Sequence, residues 1–264
     1  MKTKPLHCLV IITCALISSI TISGAATVPY FEDFDSYDVG DTPVRNFTEV
    51  DSTAWTIVAP SFSGQAYQNE ISVFSPGPGF VAVENSSAVV NFPRLATAGF
   101  LVATSFVIDE LILDGDDPSN TANIGLVARG ADSIPASSGG DRYQVSYFLD
   151  DDDLGHPTGK LYLTEHNLFF GDSLNTLSIG ALPVAIGDVY MFTLEGRIVG
   201  SSLVLRARLT DTSTSMSISV SATDGANILG GSFFGYFNNV RVKDGGTVAL
   251  NGDFDNFSVR RRSP

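Results

Sequence analysis

Along most of this chain apolar and polar residues alternate singly, and the three-to-four spacing of an amphipathic helix is nearly absent. Within 203–209 the leucines share a face with Ala207, while Arg206 and Arg208 point away. Within 216–220 serines alternate with Met216, Ile218 and Val220. Each pattern sends one face to a core and the other to water, as in an antiparallel sandwich. The same reading predicts strands over 54–59, 79–84, 88–92, 100–108, 122–128, 143–149, 160–164, 189–195, 203–210, 216–222, 233–238, 247–250 and 254–259. Turn residues separate them, among them Pro76-Gly77-Pro78-Gly79, Asp244-Gly245-Gly246 and Asn251-Gly252. About a dozen strands in one unit predict an all-β fold, a two-sheet antiparallel β-sandwich of jelly-roll type rather than a small barrel.

The first 26 residues break this pattern. Lys2 and Lys4 precede an apolar run from Leu9 to Ile17, and Ser23-Gly24-Ala25-Ala26 closes the segment. That order predicts a secretory signal peptide over 1–26 with cleavage after Ala26, and so a secreted or periplasmic protein. The uninterrupted apolar stretch falls short of the roughly 20 residues that span a bilayer, so no membrane insertion of the mature chain is expected. Both cysteines, Cys8 and Cys14, lie inside the segment, so the core must hold the mature chain without disulfides. Residues 27–264 read as one domain, because no Pro/Gly/Ser linker divides them.

Charge narrows the partners. Losing Lys2 and Lys4 takes the formal charge from −14 to −16, which argues against nucleic acid or anionic membrane as a partner. Arg260-Arg261-Arg262 is the basic exception and reads as a frayed tail.

Residues 189–196 and 203–210 resemble the middle strands of bacterial laminin-G-like jelly rolls. So do Phe233-Phe234-Gly235-Tyr236-Phe237-Asn238-Asn239 and Asp253-Phe254-Asp255-Asn256-Phe257-Ser258-Val259. Phe31-Glu32-Asp33-Phe34-Asp35 resembles the usual first strand of the same concanavalin A-like superfamily. The resemblance implies a fold that hosts lectins, adhesion modules, glycosidases and lyases, so function has to be argued from the site. It also implies first and last strands that lie together, with a structural calcium often at their seam. Glu32, Asp33, the carbonyl region of Gly40 and Asp255 are the expected ligands here, because calcium takes several oxygens. Asp255 shares its predicted strand face with Phe257 and Val259, and a carboxylate facing a core needs a partner. A hydrogen-bonded aspartate at a strand end is the equal alternative.

No catalytic pattern emerges. The paired carboxylates of a glycosidase need one cleft, but Asp109 and Glu110 fall on opposite faces of a strand, and Glu165 and Glu195 belong to separate strands. They read as solvated surface carboxylates. Gly-x-Ser-x-Gly is absent, and His156 and His166 have no zinc spacing. Trp55 reads as core. What remains is a polar sheet face: Arg142, Gln144 and Ser146 alternate with Tyr143, Val145 and Tyr147, and Arg129, Tyr162 and His166 are candidates to join the polar set. The lead expectation is a non-catalytic module that binds a polysaccharide or other glycan, or the extracellular matrix. A glycan-cleaving enzyme and a ligand-free structural protein are the alternatives.

Overall fold

Strict alternation along Ser202–Asp211 and Ser217–Asp224 does build one-sided strands, and it does so in a two-layer molecule. The computed structural model describes residues 25–41, 44, 46–50, 55–59, 64–114, 120–131, 140–151, 157–166, 174–225 and 228–263. The predicted signal peptide lies outside them up to residue 24. In chain order the strands are β1 (Tyr30–Glu32), β2 (Thr48–Val50), β3 (Trp55–Val58), β4 (Ala66–Ser75), β5 (Val81–Asn91), β6 (Gly99–Leu113), β7 (Thr121–Gly130) and β8 (Arg142–Asp151). There follow β9 (Pro157–His166), β10 (Asn175–Leu177), β11 (Leu182–Pro183), β12 (Val189–Val199), β13 (Ser202–Asp211), β14 (Ser217–Asp224), β15 (Phe233–Lys243) and β16 (Gly246–Arg262).

They form two antiparallel sheets. Sheet A runs β14-β13-β12-β6-β16-β4-β3, with β1 on β16, and sheet B runs β10-β9-β8-β7-β15-β5-β2, with β11 on β9. The chain passes from sheet to sheet between β4 and β7, and its last two strands slot between earlier ones: β15 between β5 and β7, β16 between β4 and β6. That interleaving is jelly-roll winding of a β-sandwich. Among the described residues no helix is long and apolar enough to cross a membrane.

The core between the sheets is aromatic. Trp55 is fully buried there, as expected, against Tyr67, Tyr236 and Phe254, with ring centres 5.0, 5.7 and 5.6 Å away. Its indole N–H donates to Ser86 Oγ at 2.8 Å, so burial costs the indole no hydrogen bond.

Three strand expectations change. The predicted pairs 79–84 with 88–92 and 247–250 with 254–259 are each one strand, β5 and β16. Asn251-Gly252 runs straight on in mid-strand rather than turning, opposite a β-bulge at Asp109 of β6. The arginine tail is not frayed: Arg260, Arg261 and Arg262 pair with Leu101, Phe100 and Gly99. β4 escapes the pattern because polar Asn69 faces inward, where Asn238 Nδ2 donates to its Oδ1 at 3.0 Å, while Phe74 stands exposed.

Candidate functional site

In β8 the alternation holds residue by residue. Tyr143, Val145, Tyr147 and Leu149 enter the core, which turns Arg142, Gln144, Ser146 and Phe148 to the outer face of sheet B. Antiparallel register then sets this row beside β9: Arg142 opposite His166, Gln144 opposite Thr164, Ser146 opposite Tyr162. Arg142 Nε donates to Gln144 Oε1 at 3.0 Å and Gln144 Nε2 donates to Ser146 Oγ at 2.9 Å, so three polar side chains hold one another in place. Thr164 Oγ1 lies 3.3 Å from His166 Nε2. Arg142 and Gln144 form a buried floor, and Tyr162 and His166 stand half-buried beside it.

The face continues over β7 and β15. Gly125 and Gly235 fall in the rows of Ser146 and Gln144, where a Cβ would come within 2.6 Å of Val145 O and 2.1 Å of Ala88 O. Neither position can carry a side chain, so the face is low between Ser146 and Phe237. The Arg142 guanidinium reaches across to 5.8 Å from the Phe237 ring centre, cation–π distance. One row further, Asn123 Nδ2 donates to Asn239 Oδ1 at 3.0 Å and Asn239 Nδ2 to Asn85 Oδ1 at 2.7 Å, beside Phe148. Phe148, Phe237 and this asparagine row are absent from the sequence expectation, although alternation along 142–148, 121–130 and 233–243 carries most of them.

Arg129 does not join the face. The β7–β15 register slips beside it, its φ is +52°, and its side chain turns into the sandwich. There Nη1 donates to Leu229 O at 2.9 Å, Nη2 to Ala98 O at 2.7 Å, and the guanidinium stacks 5.6 Å from the Phe100 ring centre. Burial pulls its pKa below the ordinary arginine value, and nearby Tyr143 and Asp224 oppose that.

The first and last strands do meet, Glu32 pairing with Phe257. Asp33 acts through its charge on both Glu32 and Asp255, and those two carboxylates have protein partners. Glu32 accepts from the Tyr30 and Tyr37 hydroxyls at 3.3 and 3.4 Å and from the Phe34 N–H at 3.3 Å, and burial raises its pKa. Gly40, at φ +92°, sits in a turn of residues 38–41 and donates its N–H to Ile57 O at 2.7 Å. Asp255 is not on the face of Phe257 and Val259: a bulge in β16 sets it opposite Ser105 while Phe257 turns inward. Both its oxygens accept from Asn256, at 2.6 and 2.8 Å. Burial lifts its pKa to about 6, against the Asn256 N–H and with help from the charges of Asp35 and Asp33. Among the described residues, no three His, Cys, Asp or Glu side chains are grouped to hold a metal ion.

The carboxylates considered for hydrolysis also stay apart. Glu165 is buried on the core face of β9, not solvated as expected. Glu195 lies on the outer face of sheet A, paired with Arg197 and Arg262 at 2.9 and 3.0 Å.

No protein-family model matches this chain, and no curated protein resembles it in sequence. Among solved structures it is similar to lectin II from Ulex europaeus (13% identity, 88% of this chain and 98% of that one, TM-score 0.47). It is similar, too, to a Lotus tetragonolobus seed lectin (12%, 90% and 100%, 0.49). A third is the CBM2 module of the evolved Dit of Lactobacillus casei BL23 phage J-1 (12%, 89% and 96%, 0.48). Likeness at this level carries no inference for this chain, whose fold rests on its own strand order.

Proposed function

We propose that this protein is a secreted, non-catalytic carbohydrate-binding module whose site is the outer face of sheet B. One observation carries the reading: antiparallel register sets Arg142, Gln144 and Ser146 beside His166, Thr164 and Tyr162, with Phe148 and Phe237 on the same face. A sugar offers hydroxyls at its edges and C–H groups on its faces. Fixed amide, guanidinium and hydroxyl groups suit the first and aromatic rings the second. The Arg142–Gln144–Ser146 run is held before any ligand arrives, which lowers the ordering cost of binding. Along β8 and β9 the described part of this face carries one carboxylate, Asp150, at the end remote from Arg142, so it offers no acid pair for glycoside cleavage.

A glycan array of the mature protein tests the reading. Gln144→Ala and Tyr162→Ala are each expected to weaken binding of the hit glycan by about tenfold, the scale of a well-packed contact residue. Unchanged binding in both variants, with melting temperatures intact, removes this face. Secretion is tested by N-terminal sequencing of exported material, expected to begin at Thr27.

A further inference from the structure

The outer face of sheet A has a different chemistry. Because Leu203, Leu205, Ala207 and Leu209 fill the core, Arg206 and Arg208 stand on the outside of β13. Register places Arg206 opposite Glu195 of β12 and Ser221 of β14, and Arg208 opposite Thr193 and Ser219. Glu195 is opposite Leu101 of β6, and Leu101 is opposite Arg260 of β16. Arg197 and Arg262 complete the group through Glu195. Among the described residues, five arginines therefore surround one carboxylate on this half of the face, in a chain of formal charge −14. All five are exposed. Arg206 and Arg260 have neither a hydrogen bond nor an ion pair among the described residues. Asp109, Asp253 and Asp255 belong to the opposite end of the sheet, so the face is polarised along its strands.

Arg206 also lines a groove of about 580 Å³ between this face and the segment around β10. Ser219 and Ser221 supply hydroxyls there, and Val204, Leu177 and Ile179 an apolar lip on which Ile179 is fully exposed. The volume is in the range of small-molecule sites, roughly 300–1,000 Å³.

The geometry points to a second binding site here, for an acidic polysaccharide bearing carboxylates or sulfates. A charged sugar ring lies in the groove with its anionic group on Arg206, its hydroxyls on the serines and its C–H face on the apolar lip. Neighbouring anionic units continue over Arg208, about 7 Å along the strand, and towards Arg197, Arg262 and Arg260 across it. Arginine suits such planar oxyanions because its fork donates two parallel hydrogen bonds. Single-stranded nucleic acid is disfavoured, since its binding relies on aromatic platforms for the bases, and none of the groove residues is aromatic. The site shares no residue with the outer face of sheet B and stands whether or not that face binds glycan.

The test is affinity electrophoresis of the mature protein in gels containing polygalacturonate, dextran sulfate, neutral dextran or duplex DNA. Retardation by one or both anionic polysaccharides, weakened by salt, is expected, and the tighter of the two identifies the substituent. Arg206→Gln with Arg208→Gln should weaken it at least tenfold, and Arg260→Gln to a lesser degree, with unchanged melting temperatures. Tyr162→Ala, on the other sheet, should leave it intact. No retardation by either polymer, or retardation untouched by the double variant, overturns the proposal. Duplex DNA held as tightly and lost through the same arginines would overturn its polysaccharide assignment.

Discussion

The carboxyl groups of Asp253 and Asp109 are hydrogen-bonded to each other on sheet A, where β6 carries one residue more than β16 between Ile108 and Glu110. Two charged carboxylates repel each other at a buried position, so one of them holds its proton to higher pH than usual. Burial pushes Asp253 up to about 7. The hydrogen bond to Asp109 and the charge of that residue add to the rise, and the Gln68 amide, donating at 2.9 Å, opposes it.

The pH dependence of stability follows. The folded-state pKa of Asp253 lies above its ordinary value of 3.8, so between roughly those two pH values the native protein keeps a proton that the unfolded chain has lost. Stability is fully present below that window and falls as pH rises through it. Asp253→Asn preserves a Gln68 acceptor and removes the charge. It is expected to melt several degrees higher than wild type at about pH 8 and nearly level with it at about pH 4, at ~1.4 kcal/mol per pKa unit. Calorimetry at the two pH values decides it, and equal gaps at both would contradict the shared proton.

Arg129 and Arg142 separate structure from binding. Arg129→Met strips hydrogen bonds from Ala98 O and Leu229 O inside the sandwich, at about 1–3 kcal/mol for each buried group left unmade. It should lower the melting temperature markedly and leave glycan affinity of the folded fraction unchanged. Arg142→Met should lower glycan affinity, and thermal melts beside glycan titrations of both variants tell the two roles apart.

Tyr143 ties the two sheets at one corner: its hydroxyl donates to Asp224 of β14 and accepts from the Leu229 N–H at 3.0 Å. Tyr143→Phe leaves both groups short of a partner and is expected to cost about 1–3 kcal/mol in urea unfolding. A loss below ~0.5 kcal/mol would mean that water replaces the hydroxyl.

The seam between β1 and β16 is expected to melt independently of calcium, since the Glu32 and Asp255 carboxylates already accept hydrogen bonds from protein partners. Melting temperatures in millimolar calcium and in chelator should coincide. A rise in calcium that Asp255→Asn abolishes would put an ion at the seam.

Alternation makes much of this legible. The polar row of β8 can be read from residue spacing alone because its inward tyrosines and valine never miss a beat, and the sandwich follows from many such rows. Register carries the rest, and bulges hide register. A single extra residue turns Arg129 from the sheet face into the core and moves Asp255 off the side of Phe257. Asn251-Gly252 has the composition of a hairpin turn but sits in mid-strand, because β4 and β6 flank it on both sides. The basic half of sheet A is half visible: Arg206 and Arg208 read as solvent-facing, but nothing local joins them to Arg260, some fifty residues away.

The order in which the chain is made bears on all of this. β15 and β16 are synthesised last and occupy the middle of both sheets. Until they arrive, β4 and β6 have no shared neighbour, nor have β5 and β7, and four long strands present open edges. Such late, distant pairing makes for slow folding. A polypeptide whose central staves follow all its other strands keeps both layers gaping until those two are seated.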